Sequence, residues 1–189
     1  MTDKIYLSAD DLQRDSFKLG AQILASGFRP KVIIALWRGG TPTGIAVQEF
    51  LDYYGGCHSD HIAIRTSSYK GVGERSNTVN IHGLSYLLEN INYDDPLLIV
   101  DDVFDTGLTI KAVIDELKTK ARKNAPADIR VAVPWYKPNS NKTDRIPDYY
   151  INTTEKWIKF PFSLEGLTAA EISTHRPEVY AIIGHLIPR

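Results

Sequence analysis

Cysteine is almost missing from this chain: Cys57 is the single one among 189 residues. That excludes an internal disulfide and any cysteine-built metal cluster. The nearby His58 and His61 form too loose a set with it for a metal site, and the trio reads as an exposed loop after a helix. Surplus charge is missing too. Lys and Arg number 22 against 23 Asp and Glu, a net charge of -1. Nothing electrostatic therefore draws the chain to nucleic acid or to an anionic membrane, and neither partner is expected. Long hydrophobic runs are lacking as well. Val32–Leu36 and Leu97–Val100 fall far short of the roughly 20 apolar residues a membrane helix needs. The opening MTDKIYLSADD has no apolar leader and carries acids where a secretory leader is basic, so cytoplasm is the expected compartment. No Gly-x-Gly-x-x-Gly string follows any expected strand, which removes a dinucleotide-binding oxidoreductase from consideration.

What is present is a regular alternation. Ser8 and Asp11 resemble a helix-opening box, and Leu12, Leu19, Ile23 and Leu24 then recur at helical spacing up to Gly27. VIIAL (Val32–Leu36) is a continuous β-branched run, the pattern of a strand buried on both faces. Thr41-Pro42 opens a helix that Gly55-Gly56 closes. HIAIRT (His61–Thr66) reads as a strand, and SSYKGVGERSN (Ser67–Asn77) as a long polar loop. LLIV (Leu97–Val100) is another buried strand, and Ile110, Val113, Ile114 and Leu117 mark one face of the helix after it. IRVAVPWY (Ile129–Tyr136) is a further strand. Buried strands alternating with amphipathic helices predict an α/β fold, a mostly parallel central sheet flanked by helices, in one domain.

Ligands of open parallel sheets bind beyond the carboxyl ends of the strands. Two loops occupy that position. In LLIVDDVFDTGLT (residues 97–109), Gly107 lets the chain curl tightly into a helix start, whose N–H groups cradle a phosphate, while Thr106 and Thr109 add hydroxyl donors. No Walker lysine is present, so a phosphate monoester fits better than a nucleoside triphosphate. In WRGG, Arg38 supplies a cation while Gly39 and Gly40 allow close backbone approach. An Arg-Gly-Gly turn can also be purely structural, but beside the first loop it implies a ligand with phosphates at both ends. Asp101 and Asp102 lie between the two and suit vicinal sugar hydroxyls or a bridging Mg2+. Phosphoribosyl diphosphate satisfies every one of these groups.

The thirteen-residue string resembles the phosphoribosyl-diphosphate signature of the type I phosphoribosyltransferases. The resemblance implies phosphoribosyl-diphosphate contacts from Arg38, Gly39, Asp101, Asp102, Asp105, Thr106, Gly107, Leu108 and Thr109, with Mg2+ at Asp101 and Asp102. ALWRGG is similar to that family's pyrophosphate loop, which implies a cis Trp37–Arg38 peptide. Ser68 and Tyr69 are placed like its lid. The tail Trp135–Phe162 resembles the purine branch, the xanthine-guanine and hypoxanthine-guanine enzymes. Carried over, Lys137 donates to the purine 6-oxo group, Trp157 stacks on the base, and Ile158 offers backbone groups to the 2-position. Trp157 as a core aromatic and Lys137 as a surface lysine are the plainer alternatives. Asp105 is the expected proton acceptor, with loop-shaping as its alternative role. The implied layout is a core at about 28–136 and a hood from about 1–10 and 137–165; the packing segment at 166–189 lies outside the resemblance, and there Pro177 at a helix start followed by Val179, Tyr180, Ile183 and Leu186 suggests a helix that packs, at a subunit contact as one option. The implied activity is transfer of a phosphoribosyl group to a 6-oxopurine by a homo-oligomer in purine salvage. A phosphoribosyl-diphosphate or purine sensor without catalysis, or a transferase for another base, are the alternatives.

Overall fold

The computed structural model describes residues 3–69 and 78–186, with the backbone alone for 67–69 and 78–80. Along the first half of the chain run β1 (Lys4–Tyr6), α1 (Ala9–Ala25), β2 (Val32–Trp37), α2 (Gly40–Gly55), β3 (Asp60–Tyr69), β4 (Thr78–His82) and α3 (Leu84–Asn90). The second half adds β5 (Leu97–Val100), β6 (Val103–Phe104), α4 (Leu108–Ala121), β7 (Ile129–Tyr136), β8 (Tyr149–Thr153), β9 (Trp157–Lys159), α5 (Ala169–His175) and α6 (Pro177–Ile183). These divide into a larger compact unit, Asp10–Glu155, and a smaller one made of Met1–Ala9 and Lys156–Arg189. No helix among the described residues is long and apolar enough to cross a membrane.

The larger unit is built on a seven-stranded sheet in the order β4-β3-β2-β5-β7-β6, with β8 also paired to β7. Every pairing is parallel except β3 with β4. Alternation along the strands explains why the central runs are apolar throughout. Leu97 and Ile99 enter one core with Ile34, Val131 and the α3 and α4 residues Leu87, Ile110, Val113 and Leu117. Leu98 and Val100 enter the other, with Ile33, Ala132 and the α1 and α2 residues Leu19, Ile23, Val47 and Leu51. Each strand therefore buries both faces, and full burial of one such side chain is worth roughly 1.5–3 kcal/mol.

The register fixes where the strands end. Ala35 pairs with Val100, and Val100 with Ala132, so β5 stops level with the interior of its neighbours, while β2 runs on to Trp37 and β7 to Tyr136. From β2 the chain crosses to β3 on one side, whereas from β5 it proceeds to β7 on the other. The strand order reverses between β2 and β5, and the loops leaving those two strands flank the crevice such a reversal opens.

Two readings of the sequence need correction. Ser67–Tyr69, read as loop, continue β3 because β4 supplies antiparallel partners: Ser67 to Asn80, Ser68 to Val79, Tyr69 to Thr78. The rest of that loop, 70–77, lies outside the described residues. In the tail, α6 starts at Pro177 as expected, but within one copy of the chain it has no buried residue, and Tyr180 and Leu186 are exposed, so the face does not pack inside its own chain. Packing there comes instead from Ile172 and Arg176, both buried.

In the smaller unit β1 and β9 pair in parallel, Ile5 opposite Ile158. Glu171 closes a capping box with Thr168 at the start of α5 and accepts hydrogen bonds from the Lys4 ammonium and the Tyr6 hydroxyl. The Lys4 bond above all, then the Thr168 N–H and Tyr6, holds the Glu171 carboxyl well below the usual range. A depressed folded-state value contributes stability above the unfolded value, and that contribution disappears as pH falls. Glu171→Gln is thus expected to lower the urea midpoint at pH 7, with the gap to wild type closing as pH drops below 4.5, the ordinary glutamate value. Parallel urea titrations from pH 7 to pH 3 test this, and a gap that stays constant would show that the charge of Glu171 contributes nothing.

Candidate active site

The loops that leave the carboxyl ends of β2 and β5 touch. The Trp37–Arg38 peptide is cis, and Arg38 is exposed at the turn into α2, where its carbonyl accepts from the Thr41 N–H at 3.1 Å. A Cβ on Gly39 would collide with the Asp102 carboxylate, and one on Gly40 with the Val100 carbonyl oxygen. Only a bare backbone lets the Arg38 loop lie against the acidic pair. The two glycines are required by the approach of β5, not by an unusual φ at the turn.

Asp101 and Asp102 are half-buried. The Asp101 N–H donates to the Ala132 carbonyl at 3.2 Å, carrying the ladder one residue past β5. Asp101 Oδ1 accepts from the Asp102 N–H at 2.9 Å. Desolvation pushes the Asp101 carboxyl well up, and the neighbouring Asp102 charge pushes it further. Desolvation likewise raises Asp102 to about 6, against the opposing hydrogen bonds from Asp101 and the Val103 N–H. Two carboxyls lose water here, and among the described residues no cationic side chain forms an ion pair with either.

The chain next pairs briefly with β7 through Val103 and Phe104, then bends at Gly107, which takes the left-handed conformation at φ 74° and caps α4. A Cβ on Gly107 would stand 2.7 Å from both the Phe104 ring and the Thr143 hydroxyl. The resulting cavity of about 220 Å³ is lined by Asp101, Asp102, Asp105, Thr106, Gly107 and Thr109, over Phe104 and Ile110. Arg38 is not among the lining residues; its loop adjoins the cavity through Gly39 and Asp102.

A support unforeseen in the sequence comes from the polar stretch after β7. The Lys142 N–H donates to the Thr106 carbonyl at 3.0 Å. Thr143 is held in turn by Asn141, whose side-chain oxygen accepts from the Thr143 N–H and hydroxyl, both at 2.9 Å. The length and polarity of PNSNKTDRIP were the available signal, since a loop that folds on itself needs such side chains. Lys137 begins this stretch. It is buried, its N–H donates to the Phe104 carbonyl at 2.9 Å, and its ammonium lies 3.2 Å from Asp105 Oδ2. The surface-lysine alternative therefore fails on position.

The remaining expected residues are placed as follows. Leu108 is exposed in the first turn of α4. Ser68 and Tyr69 lie in the backbone of β3. In the smaller unit Trp157 is 53% exposed on β9, which sets aside the core-aromatic alternative, and Ile158 is buried beside it.

The sequence between β1 and the tail carries a recognisable family pattern: a model described as the phosphoribosyl transferase domain matches residues 6–167. The chain belongs to the phosphoribosyltransferase family. Xanthine phosphoribosyltransferase 1 of Saccharomyces cerevisiae is 25% identical to it, over 87% of this chain and 92% of that protein. A hypoxanthine-guanine phosphoribosyltransferase of Staphylococcus aureus is 24% identical over 94% and 96%. The crystal structure of a purine phosphoribosyltransferase from Pyrococcus horikoshii superposes with a TM-score of 0.67 at 30% identity, covering 88% of this chain and 97% of that one. The chain is thus a phosphoribosyltransferase with relatives in the purine branch.

Purine phosphoribosyltransferases generally use Mg2+ with phosphoribosyl diphosphate. The residues present fit it. Mg2+ takes one or two carboxylates and fills its octahedron with substrate oxygens and water, and the desolvated Asp101–Asp102 pair offers that donor set. Among the described residues no larger group of acids, histidines and cysteine lies together.

The glycine contact makes the site sensitive to one methyl group. Gly39→Ala must displace Asp102 or the Arg38 turn, and misplacement on that scale costs about 100-fold in turnover. The expected result is kcat/KM for phosphoribosyl diphosphate lower by about that factor, with an unchanged circular dichroism spectrum. A loss of less than threefold would show that the two loops do not act on one substrate.

Proposed function

We propose that this phosphoribosyltransferase transfers the 5-phosphoribosyl group from phosphoribosyl diphosphate to a 6-oxopurine (hypoxanthine, guanine or xanthine), releasing diphosphate, as a Mg2+-dependent, homo-oligomeric, cytoplasmic enzyme of purine salvage. The observation that carries this reading is the contact between the Arg38–Gly40 turn and the Asp101–Asp102 pair, beside the Thr106–Thr109 cradle. A ligand at this edge meets an arginine turn, two carboxylates and a helix-start cradle in sequence, which suits a diphosphate, a diol and a monophosphate on one sugar.

In the proposed reaction the bond from the anomeric carbon to diphosphate breaks first, and its electron pair leaves with the diphosphate. Arg38, exposed at the turn into α2, stabilises that growing charge. Bound Mg2+ would be held by Asp101 and Asp102 and would neutralise phosphate charge. A ring nitrogen of the base then gives its lone pair to the anomeric carbon, and a ring N–H proton must leave. Lys137 and Asp105 divide this work. Purine O6 and N7 are neighbours on one edge, so a lysine–aspartate pair 3.2 Å apart can donate to O6 while accepting the proton from the adjacent nitrogen. A 6-amino group cannot accept from an ammonium, which disfavours adenine. Trp157 and Ile158, in the base-reading hood, take their proposed roles from the family resemblance. So do Ser68 and Tyr69, proposed as part of a lid that excludes water.

Incubating the enzyme with phosphoribosyl diphosphate, Mg2+ and each free purine should yield nucleotide and diphosphate with one or more 6-oxopurines and none with adenine. Phosphoribosyl-diphosphate binding without product from any base would convert the reading to a sensor. Asp105→Asn should lower kcat by about 100-fold or more with little change in KM for phosphoribosyl diphosphate. An unchanged kcat would leave Asp105 only its loop-shaping role.

A further inference from the structure

Helix α2 is apolar on two sides. Its inward side, Thr43, Gly44, Val47 and Leu51, is buried. Gly44 lies so close to β2 that a Cβ there would stand 2.8 Å from the Ala35 Cβ. The outward side, at helical spacing, is Ile45, Ala46, Glu49, Phe50, Tyr53 and Tyr54. A helix that packs on one neighbour turns polar residues outward, and one that is apolar all round belongs in a covered position. Here one charge interrupts the outward side, yet Ile45 is 60% exposed, Tyr53 82% and Tyr54 67%.

The rings on this side are ordered among themselves. Phe50 rests in the notch that Gly20 leaves on α1, where a Cβ would stand 2.9 Å from the Phe50 ring. Phe17 of α1 lies 6.1 Å from Phe50 between ring centres, Tyr54 lies 4.8 Å from it, and Tyr53 stands edge-on to Tyr54 at 4.9 Å. Two helices of the larger unit thus carry one continuous strip of four rings. Aromatic side chains fixed in advance lose little freedom on association, and Tyr and Phe are enriched where proteins meet.

We propose that this strip is the docking face for a second copy of the chain, joined to the first as a two-fold homodimer. The proposal supplies the face for the homo-oligomeric part of the function proposed above and rests on that part alone. Area favours a second copy. With roughly 200 Å² per aromatic side chain, the exposed parts of Phe17, Tyr53, Tyr54 and Ile45 come to about 500 Å². A stable interface takes about 800 Å² from each partner, and about 65% of a homodimer interface is apolar, which calls for about 520 Å² of apolar surface. Charge agrees. Beside Phe17, Arg14 pairs with Asp11 and Lys18 with Asp15, each at 3.1 Å. A two-fold axis sets the strip against its own copy, and a rim whose cations already have partners brings no block of like charge together. Nucleic acid or an anionic membrane would need a rim with surplus positive charge.

The test is analytical ultracentrifugation of the full chain over a micromolar dilution series, and it needs no substrate. Compared with wild type are Tyr53→Asp and Ile45→Asp on α2, and Ile182→Asp on α6, whose side chain is also exposed. Wild type should sediment as a dimer. Each α2 substitution should raise the dimer dissociation constant by about 100-fold or more, because a two-fold interface carries every substitution twice. Circular dichroism should be unchanged, since both positions face solvent in one copy. Ile182→Asp should leave the dimer intact. A dimer that survives both α2 substitutions, or that only Ile182→Asp breaks, overturns this face and leaves the homo-oligomeric reading standing. Species that keep growing with concentration overturn the two-fold arrangement. A wild type that stays monomeric throughout overturns the proposal and the homo-oligomeric reading together.

Discussion

The functional edge of this molecule depends on a missing atom. Because Gly39 has no Cβ, the backbone after β2 can rest against the carboxylate that ends β5. Parallel register sets the two strands side by side, and the reversal of strand order opens the crevice, but neither would bring the loops into contact past a side chain. Chemistry of opposite preference is thereby compressed into one edge: an arginine turn and a helix start that favour anions, against two carboxyls that favour cations and hydroxyls. Loss of water at that edge pushes both aspartate carboxyls above the usual range.

Much of this was legible in the chain. VIIAL, LLIV and IRVAVPWY are apolar at consecutive positions because β2, β5 and β7 each feed two cores, and that pattern needs no long-range information to recognise. The Asp-Asp and Thr-Gly-x-Thr groups were legible for a similar reason, being local strings whose chemistry is carried by adjacent residues. What escaped was pairwise and remote. The extension of β3 depends on β4, whose Val79 and Ile81 offer two apolar positions in a polar stretch, too few to mark a strand. The Lys142–Thr106 bond joins backbone groups, which any residue possesses, so no letter of the sequence announces it. Arg176 is similar: its partners are carbonyls, and an arginine in a terminal tail reads as surface until the turn it fills is seen.

Lysines in this protein also show how environment assigns work to one residue type. Lys4 meets a carboxylate in a capping box and acts as a fastener. Lys137 is buried against Asp105 at the end of β7, where an ammonium and a carboxylate face the same volume. Lys159 is buried against a single carbonyl and an indole. The three differ in the partners their surroundings supply, although the residue type is one and the same.

The hydrogen bond from Lys142 to Thr106 carries a consequence for rebuilding this protein. The segment that begins at Lys137 and returns at β8 doubles as scaffolding for the phosphate cradle, although its own side chains need not reach a phosphate. Grafting that segment from a cousin with a different base preference would therefore also disturb the grip on the sugar donor. The two loops are one mechanical unit, and a successful transplant must carry residues 104–109 together with 137–147.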